Sequence, residues 1–257
     1  MMNLCFEHVP EMYGYFHLAM LVVISIAGFL VWRISRGYSE QGMIRGIGIL
    51  GWIMVVLEVF KQWYCVTVVN HGVVSLWYLP WQLCSIAMYA ASLLPFLGEK
   101  RQNTVLSFLA TYSLMAAILA LLYPQDMLRI QVLLTVHGFL YHGMMILESV
   151  LALRVLQKRM CIDIRGSMGL FLGCAGIAEI LNLCAYGFFP ALEQPNLFYI
   201  SPYMPVSQPV FADIAGVLGV FPEIVIYLGM IIFGNSLLSF VFDKTILGKS
   251  YYNSSHE

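Results

Sequence analysis

Seven apolar stretches, each of roughly 20 residues, constrain the fold of this chain more than any other feature of its sequence. A helix of about that length crosses the hydrocarbon core of a membrane, and in lipid only helices and closed barrels satisfy all their backbone hydrogen bonds. The sequence therefore predicts an all-α, polytopic membrane protein, a bundle of about seven transmembrane helices. The predicted spans are residues 15–34, 43–64, 80–97, 104–123, 130–155, 166–188 and 217–242.

The composition agrees with a membrane protein. Of the 257 residues 60% are hydrophobic and 11% are charged, more apolar surface than one soluble core of this size can bury. The net charge of −1 leaves no basic face, so nucleic acid is excluded as a partner. The six cysteines lack CxxC and CxxH spacing, which predicts neither a zinc site nor a disulfide framework. We expect no cofactor, and membrane lipids as the partners; the sequence leaves the oligomeric state open.

The positions of the cationic residues predict the orientation. Cytoplasmic loops retain Lys and Arg, and eleven of the 13 such residues lie at alternate turns between the spans or in the C-terminal tail. These are Arg33, Arg36, Arg45, Lys100, Arg101, Arg154, Lys158, Arg159, Arg165, Lys244 and Lys249. We therefore expect an extracytoplasmic N-terminus, a cytoplasmic C-terminus and a multi-pass location in the cell membrane, specifically the cytoplasmic membrane of a bacterium. Residues 1–257 are expected to form a single domain whose Pro-rich, aromatic loop 190–216 is extracytoplasmic and forms an ordered cap.

Polar residues inside the predicted spans are candidates for function, because ionisable groups are expensive at bilayer depth. Most of them fall in the outer half, where they can converge on one cavity. Each also has a structural explanation. Glu58 and Lys61 share a helix face and can neutralise each other, and a buried pair such as Glu179 and Asn182 can join helices by hydrogen bonds.

Cys84 is a candidate nucleophile because it lies one turn inside the outer boundary, at a depth that the fifth predicted span matches with histidine. A lone cysteine usually only packs, but a nearby base can activate its thiol. His137 and His142 are five positions apart, hence roughly 140° apart around a helix, so they cannot both point at Cys84. His137 shares its face with Tyr141 and Glu148, and His142 shares its face with Gly138. Periodicity alone does not choose between the two histidines.

Four short motifs resemble one known family. They are Leu79-Pro80-Trp81-Gln82-Leu83-Cys84, Leu122-Tyr123-Pro124, Tyr141-His142-Gly143 and Phe198-Tyr199-Ile200-Ser201-Pro202-Tyr203. In this order, across nearly the whole chain, they resemble the YwaF-type integral membrane family, which is similar to the eukaryotic transmembrane protein 164 group.

The resemblance implies a membrane-embedded lipid acyl-chain enzyme, a cysteine-dependent phospholipid acyltransferase or hydrolase. It places the family's cysteine at Cys84 and its histidine at His142, with His137 as the second candidate base. Many members carry histidine where this chain has Gln82, whose amide is able to donate a hydrogen bond to an oxyanion. The predicted supporting residues are Gln82, Glu179, Asn182, Glu58 and Lys61. Neither the acyl donor and acceptor, phospholipid or lysophospholipid, nor the choice between transfer and hydrolysis follows from the sequence.

The alternative reading is a proton-coupled transporter or a receptor-like membrane protein. In that case the buried Glu, Lys and His cluster, with Glu58, Lys61, Glu148 and Glu179, forms a path for protons or solute. Cys84 then only packs. The two readings differ in what they predict for the removal of the Cys84 thiol, which abolishes activity only in an enzyme.

Overall fold

A computed structural model describes residues 4–204 and 208–244, and these residues are almost entirely helical. Nine α-helices follow one another along the described chain, and one isolated β-bridge joins Cys5 to Gln131. The helices are α1 (Tyr15–Ile34), α2 (Glu40–Tyr64), α3 (Leu83–Leu93), α4 (Glu99–Phe108), α5 (Leu114–Leu122), α6 (Val132–Arg159), α7 (Ile164–Phe188), α8 (Phe211–Leu218) and α9 (Val220–Phe242).

Six helical segments of the described chain are long and apolar enough to cross a membrane, which confirms the predicted polytopic helical bundle. The second span begins at Glu40, earlier than predicted, because the Ser39 hydroxyl caps α2 by accepting a hydrogen bond from the Gly42 N–H at 3.1 Å. It continues through a π-helical turn, Cys65–Val69. In the fourth span a second π-helical turn, Leu109–Ser113, joins α4 to α5.

The third predicted span is shorter than the sequence suggested. With 11 residues, α3 is only about 16 Å long, roughly half the hydrocarbon core. It starts at Leu83 rather than Pro80, because the backbone is still extended at the N-cap Gln82, with a ψ of 162°. Leu79 is extended as well, with a ψ of 125°, as a residue before proline tends to be. A 3₁₀ turn that contains Pro95 follows α3. The helix therefore begins inside the bundle, beyond an irregular segment.

Two glycines allow α3 to pack directly on α2. A Cβ added at Gly51 would lie 2.4 Å from the Ser92 nitrogen, and one at Gly48 would lie 2.4 Å from Cγ of Pro95. No side chain larger than hydrogen fits at either contact. Since α2 also packs along α6, and α6 contacts α1, α4 and α5 as well, α6 is the central helix that relates α3 to the rest of the bundle.

The predicted cationic turns meet at one end of the bundle. Arg159, in the last turn of α6, donates from Nε to the Glu40 carboxylate at 2.8 Å and from Nη1 to Asn103 at 2.6 Å. Arg154 donates to the Trp32 carbonyl at 2.8 Å. The α1–α2, α3–α4 and α6–α7 turns therefore share an end, as the charge pattern requires. Lys249 in the predicted cytoplasmic tail and residues 205–207 of the loop 190–216 lie outside the described residues.

Candidate functional site

Cys84 lies in the first turn of α3, where the backbone N–H groups point out of the helix end. Gln82 is the N-cap, and its carbonyl accepts from the N–H groups of Ser85 and Ile86 at 2.8 and 3.2 Å. The N–H groups of Leu83 and Cys84 have no acceptor within α3, as is usual for the first residues of a helix without a side-chain cap, and the Cys84 N–H lies beside its own sulfur. The thiol therefore sits next to backbone donors at the positive end of the helix dipole.

Cys84 and His142 are both partly accessible. Each lies on a helix of the bundle, yet neither side chain is fully covered by its neighbours. The two residues named by the sequence as nucleophile and base are therefore not sealed by packing.

Tyr141 is the α6 side chain that reaches the Cys84 turn. Its hydroxyl donates to the Cys84 carbonyl over a long 3.5 Å. Its ring lies between the two candidate histidines, stacked on His137 with centroids 5.6 Å apart and edge-on to His142 at 5.9 Å. The structure thus gathers Cys84, His137 and His142 around one tyrosine, although no hydrogen bond joins either imidazole to Cys84 among the described residues.

The two imidazoles differ in their partners. His142 Nδ1 lies 2.8 Å from the Gly138 carbonyl, one turn back on α6. A carbonyl only accepts, so Nδ1 carries the proton and Nε2 of the neutral ring keeps its lone pair. His137 faces α2 close to the Leu57 carbonyl, and its Nε2 is buried without a partner. Both imidazoles therefore keep a ring nitrogen able to take a proton, and His142 is the one whose tautomer is set by a 2.8 Å hydrogen bond.

Glu58 and Lys61 form the predicted ion pair, with Nζ 2.7 Å from Oε1. Gln62, which the sequence did not single out, donates to the same Glu58 oxygen at 2.7 Å and also to the Tyr78 carbonyl. The pair lies near the site, because Lys61 is within electrostatic range of Cys84 and Glu58 of His137. Burial raises the pKa of the Tyr78 phenol, which stays neutral at this edge.

Asn182 and Gln82 both bind one buried strip of the loop 190–216, namely residues 196–198. Asn182 on α7 donates to the Leu197 carbonyl at 3.2 Å and accepts from the Leu197 N–H at 2.9 Å. Gln82 binds the same strip in the same way, donating to the Asn196 carbonyl at 3.0 Å and accepting from the Phe198 N–H at 2.8 Å. These residues of the loop are almost fully buried. The loop thus has an ordered inner strip, which the side-chain amides of Gln82 and Asn182 hold in place by hydrogen bonds.

Gln82 and Glu179 lie at the anchor of the loop. The Gln82 side-chain carbonyl and one amide proton bind the loop, which leaves one amide proton for the predicted hydrogen bond to an oxyanion. Glu179 lies beside Asn182 on α7, partly accessible, with one carboxylate oxygen buried and without a partner. The supporting roles of both residues stay predictions.

The loop also brings a phenol to the site. Tyr199 donates its hydroxyl to the Asp126 carboxylate at 3.1 Å. Burial, together with the negative charge of Asp126, raises the pKa of the Tyr199 phenol well above its ordinary value. Tyr199 and the α9 residue Tyr227 both lie within electrostatic range of Cys84, so the loop and α9 each bring a phenol to the region of the thiol.

Sequence reasoning named Tyr141 only as a neighbour of His137 on its helix face, and it did not single out Tyr199, Gln62 or Asp126 as members of this region. It searched the spans for ionisable groups, and tyrosine and glutamine are neutral at pH 7. The spacing of four residues places Tyr141 beside His137 but does not show that its hydroxyl reaches the Cys84 carbonyl. In the described part of the chain no group of three or more His, Cys, Asp or Glu side chains is arranged to hold a metal ion.

The comparisons with known proteins agree with the fold. Searches of the curated proteins and of the solved structures gave no match for this chain. The sequence model of the TMEM164 family matches residues 12–238, a range that contains α1 to α7, the loop 190–216 and most of α9. A match over that much of the sequence shows that the chain belongs to the TMEM164 family.

Proposed function

We propose that this protein is a membrane-embedded lipid acyl-chain enzyme, in which Cys84 carries the acyl chain as a thioester and a histidine acts as the base. One observation carries the proposal. A partly accessible thiol lies in the first turn of a helix that starts inside the bundle, next to the N–H groups of Leu83 and Cys84, which have no acceptor within that helix. Backbone donors fixed at such a position stabilise the oxyanion of acyl transfer.

In the first half-reaction, histidine removes the thiol proton and the sulfur attacks the ester carbonyl carbon of a membrane lipid. A carbon–sulfur bond forms and the carbonyl electron pair moves to oxygen, where the N–H groups of Leu83 and Cys84 are the available donors. When the oxyanion collapses, the ester C–O bond breaks. The leaving lysolipid oxygen takes the proton back from the imidazolium, which leaves a thioester and a neutral ring.

In the second half-reaction, an acceptor hydroxyl gives its proton to the same imidazole and attacks the thioester. The carbon–sulfur bond breaks, and the thiol regains a proton. If the acceptor is a lysophospholipid the protein is an acyltransferase, and if it is water the protein is a lipid hydrolase. The apolar walls of the bundle favour transfer, because a site poor in water protects the thioester.

We assign the base to His142. Its Nδ1 is held by the Gly138 carbonyl, so its free nitrogen is the one that can take a proton. His137 turns towards α2 and its Glu58–Lys61 pair, a position suited to tuning the electrostatics of the site. The loop strip held by Gln82 and Asn182 closes the site from the other side and contributes Tyr199.

The test is acyl exchange by the purified protein in proteoliposomes, with a phospholipid that carries an isotope-labelled acyl chain and an unlabelled lysophospholipid. We expect labelled product from the wild type and none from Cys84→Ala or His142→Ala. His137→Ala should be slowed but active. Cys184→Ala, which removes another partly accessible cysteine on α7, is the matched control and should retain full activity.

Folded Cys84→Ala protein that still exchanges acyl chains would refute the nucleophile. A wild type that exchanges none, but moves protons across the vesicle membrane, would favour the transporter reading. In that case the Glu58–Lys61 pair and the buried carboxylates would be the residues to change next.

A further inference from the structure

Glu148 is a buried carboxyl group that the proposed chemistry does not use. It lies in the middle of α6 with no exposed surface. Its Oε1 accepts a single long hydrogen bond of 3.5 Å from the Ser113 hydroxyl, and its Oε2 is buried without any partner. Within the described ranges the two ion pairs are Lys61–Glu58 and Arg159–Glu40, so no cationic side chain neutralises Glu148.

Oxygen atoms of the facing helix lie near Glu148. The facing element is the π-helical turn Leu109–Ser113, in which Ser113 is the last residue. The neighbour of Glu148, Ser149, places its hydroxyl 2.8 Å from the Leu109 carbonyl, across the same contact between the helices, and 2.6 Å from the Met145 carbonyl of its own helix. The Glu148 carboxylate, the hydroxyls of Ser113 and Ser149 and the Leu109 carbonyl therefore lie within about one helical turn of each other.

A carboxylate at this depth needs a counter-charge or a proton, because an isolated buried ion is costly. A proton on Oε2 would itself need an acceptor, and none is present among the described neighbours. Lone pairs on the Leu109 carbonyl and on both serine hydroxyls stay available beside the existing hydrogen bonds. Hard cations prefer oxygen ligands, and irregular helical backbone inside membrane proteins supplies them.

We propose that Glu148, Ser113, Ser149 and the Leu109 carbonyl bind one sodium ion. A single charge matches the single carboxylate, which selects a monovalent ion over a divalent one. The ion fixes the π-helical turn against α6. Since Tyr141 lies two turns from Glu148 on the same helix and within its electrostatic range, the ion sets the electrostatic environment below the thiol site. This site does not depend on acyl transfer, and its test uses no acyl substrate.

The test is thermal unfolding of the full-length protein in detergent, with sodium chloride replaced stepwise by choline chloride at constant ionic strength. We expect the midpoint to rise by about 3–6 °C for each tenfold increase in sodium above the dissociation constant. Potassium should have a weaker effect. Glu148→Gln should abolish the sodium response. Glu223→Gln is the matched control, because it removes another carboxylate that is fully buried and has no partner, and it should respond as the wild type does.

Ser113→Ala keeps the proposal testable if Glu148→Gln does not fold, since it removes one ligand and should raise the sodium concentration needed for half of the effect. Cys84→Ala should keep the full response, which separates this site from the thiol chemistry. A midpoint that is independent of sodium would overturn the proposal. So would an infrared carbonyl band of a protonated carboxyl group that is present in saturating sodium and is lost in Glu148→Gln.

Discussion

The contact between α2 and α3 at Gly51 leads to a specific prediction about the fold. A change at this contact should also affect the candidate site. In Gly51→Ala the new Cβ would lie 2.4 Å from the Ser92 nitrogen and 2.8 Å from two atoms of Ala91. Because such atoms sit about 3.5–4.0 Å apart at their optimum, α3 must move away from α2 by about 1 Å. Overpacking of this kind costs about 1–3 kcal/mol. Cys84 lies on the same short helix, and a misplacement of about 1 Å can slow a reaction about 100-fold.

The assay compares unfolding midpoints, followed by tryptophan fluorescence in detergent, with acyl-exchange rates in proteoliposomes. Gly173→Ala on α7 is the control, because a Cβ there meets nothing within 4 Å. We expect it to leave the rate unchanged and to raise stability by no more than about 1 kcal/mol. If Gly51→Ala is as stable and as active as Gly173→Ala, then α3 does not rest on α2 as described, and the position assigned to Cys84 is wrong.

Three further predictions concern the loop and its tyrosines. Asn182→Ala should leave the Leu197 N–H unpaired, at about 1–3 kcal/mol, while the Leu197 carbonyl keeps its bond from the Ile200 N–H, and should speed limited proteolysis of the loop 190–216. The pKa of Tyr199 is raised by burial, so its phenol should stay neutral in the folded protein at a pH where ordinary tyrosines ionise. Its contribution to stability is intact below pH ~10 and is lost as the pH rises further. In ultraviolet difference spectra, Tyr199→Phe should lack one phenol that titrates late in the wild type. Tyr141→Phe should slow acyl exchange several-fold without changing the fold. The control Tyr89→Phe removes a hydroxyl that donates to the Pro80 carbonyl, four residues before Cys84, and should not slow exchange. Equal rates for the two variants would count against a role for Tyr141.

The sequence predicted the helices well because backbone that is not hydrogen-bonded within a helix or a closed barrel is too costly in lipid. A run of apolar residues at bilayer depth has to be helical, and the first span, Tyr15–Ile34, was predicted to the residue. The predicted start of the third span at Pro80 was wrong, because the apolar residues continue there but the α-helix does not. Hydrophobicity measures the preference for lipid, whereas the helix start at Leu83 is decided by the extended backbone and the hydrogen bonds of Gln82.

The site was predictable only in part, because it depends on contacts between distant segments. From the lengths of the spans, the sequence predicted that Cys84 and the histidines lie at the same depth in the membrane. Nothing in the sequence indicates that Gln82 and Asn182 both bind backbone more than ten residues away. Nor does periodicity show that Tyr141, rather than an imidazole, reaches the Cys84 turn. Such facts follow from the rotation of α6 and from the path of the loop, and packing decides both.

The most direct test of the account is to trap the acyl-enzyme. The purified protein would be mixed with phospholipid, quenched in acid within seconds and examined by intact-protein mass spectrometry. We predict one added acyl chain, located on Cys84 by peptide mapping and released by neutral hydroxylamine as a thioester is. Cys84→Ser should give either no adduct or one that resists hydroxylamine. An adduct of equal yield in Cys84→Ala, or none in wild-type protein that is exchanging acyl chains, would contradict the central claim.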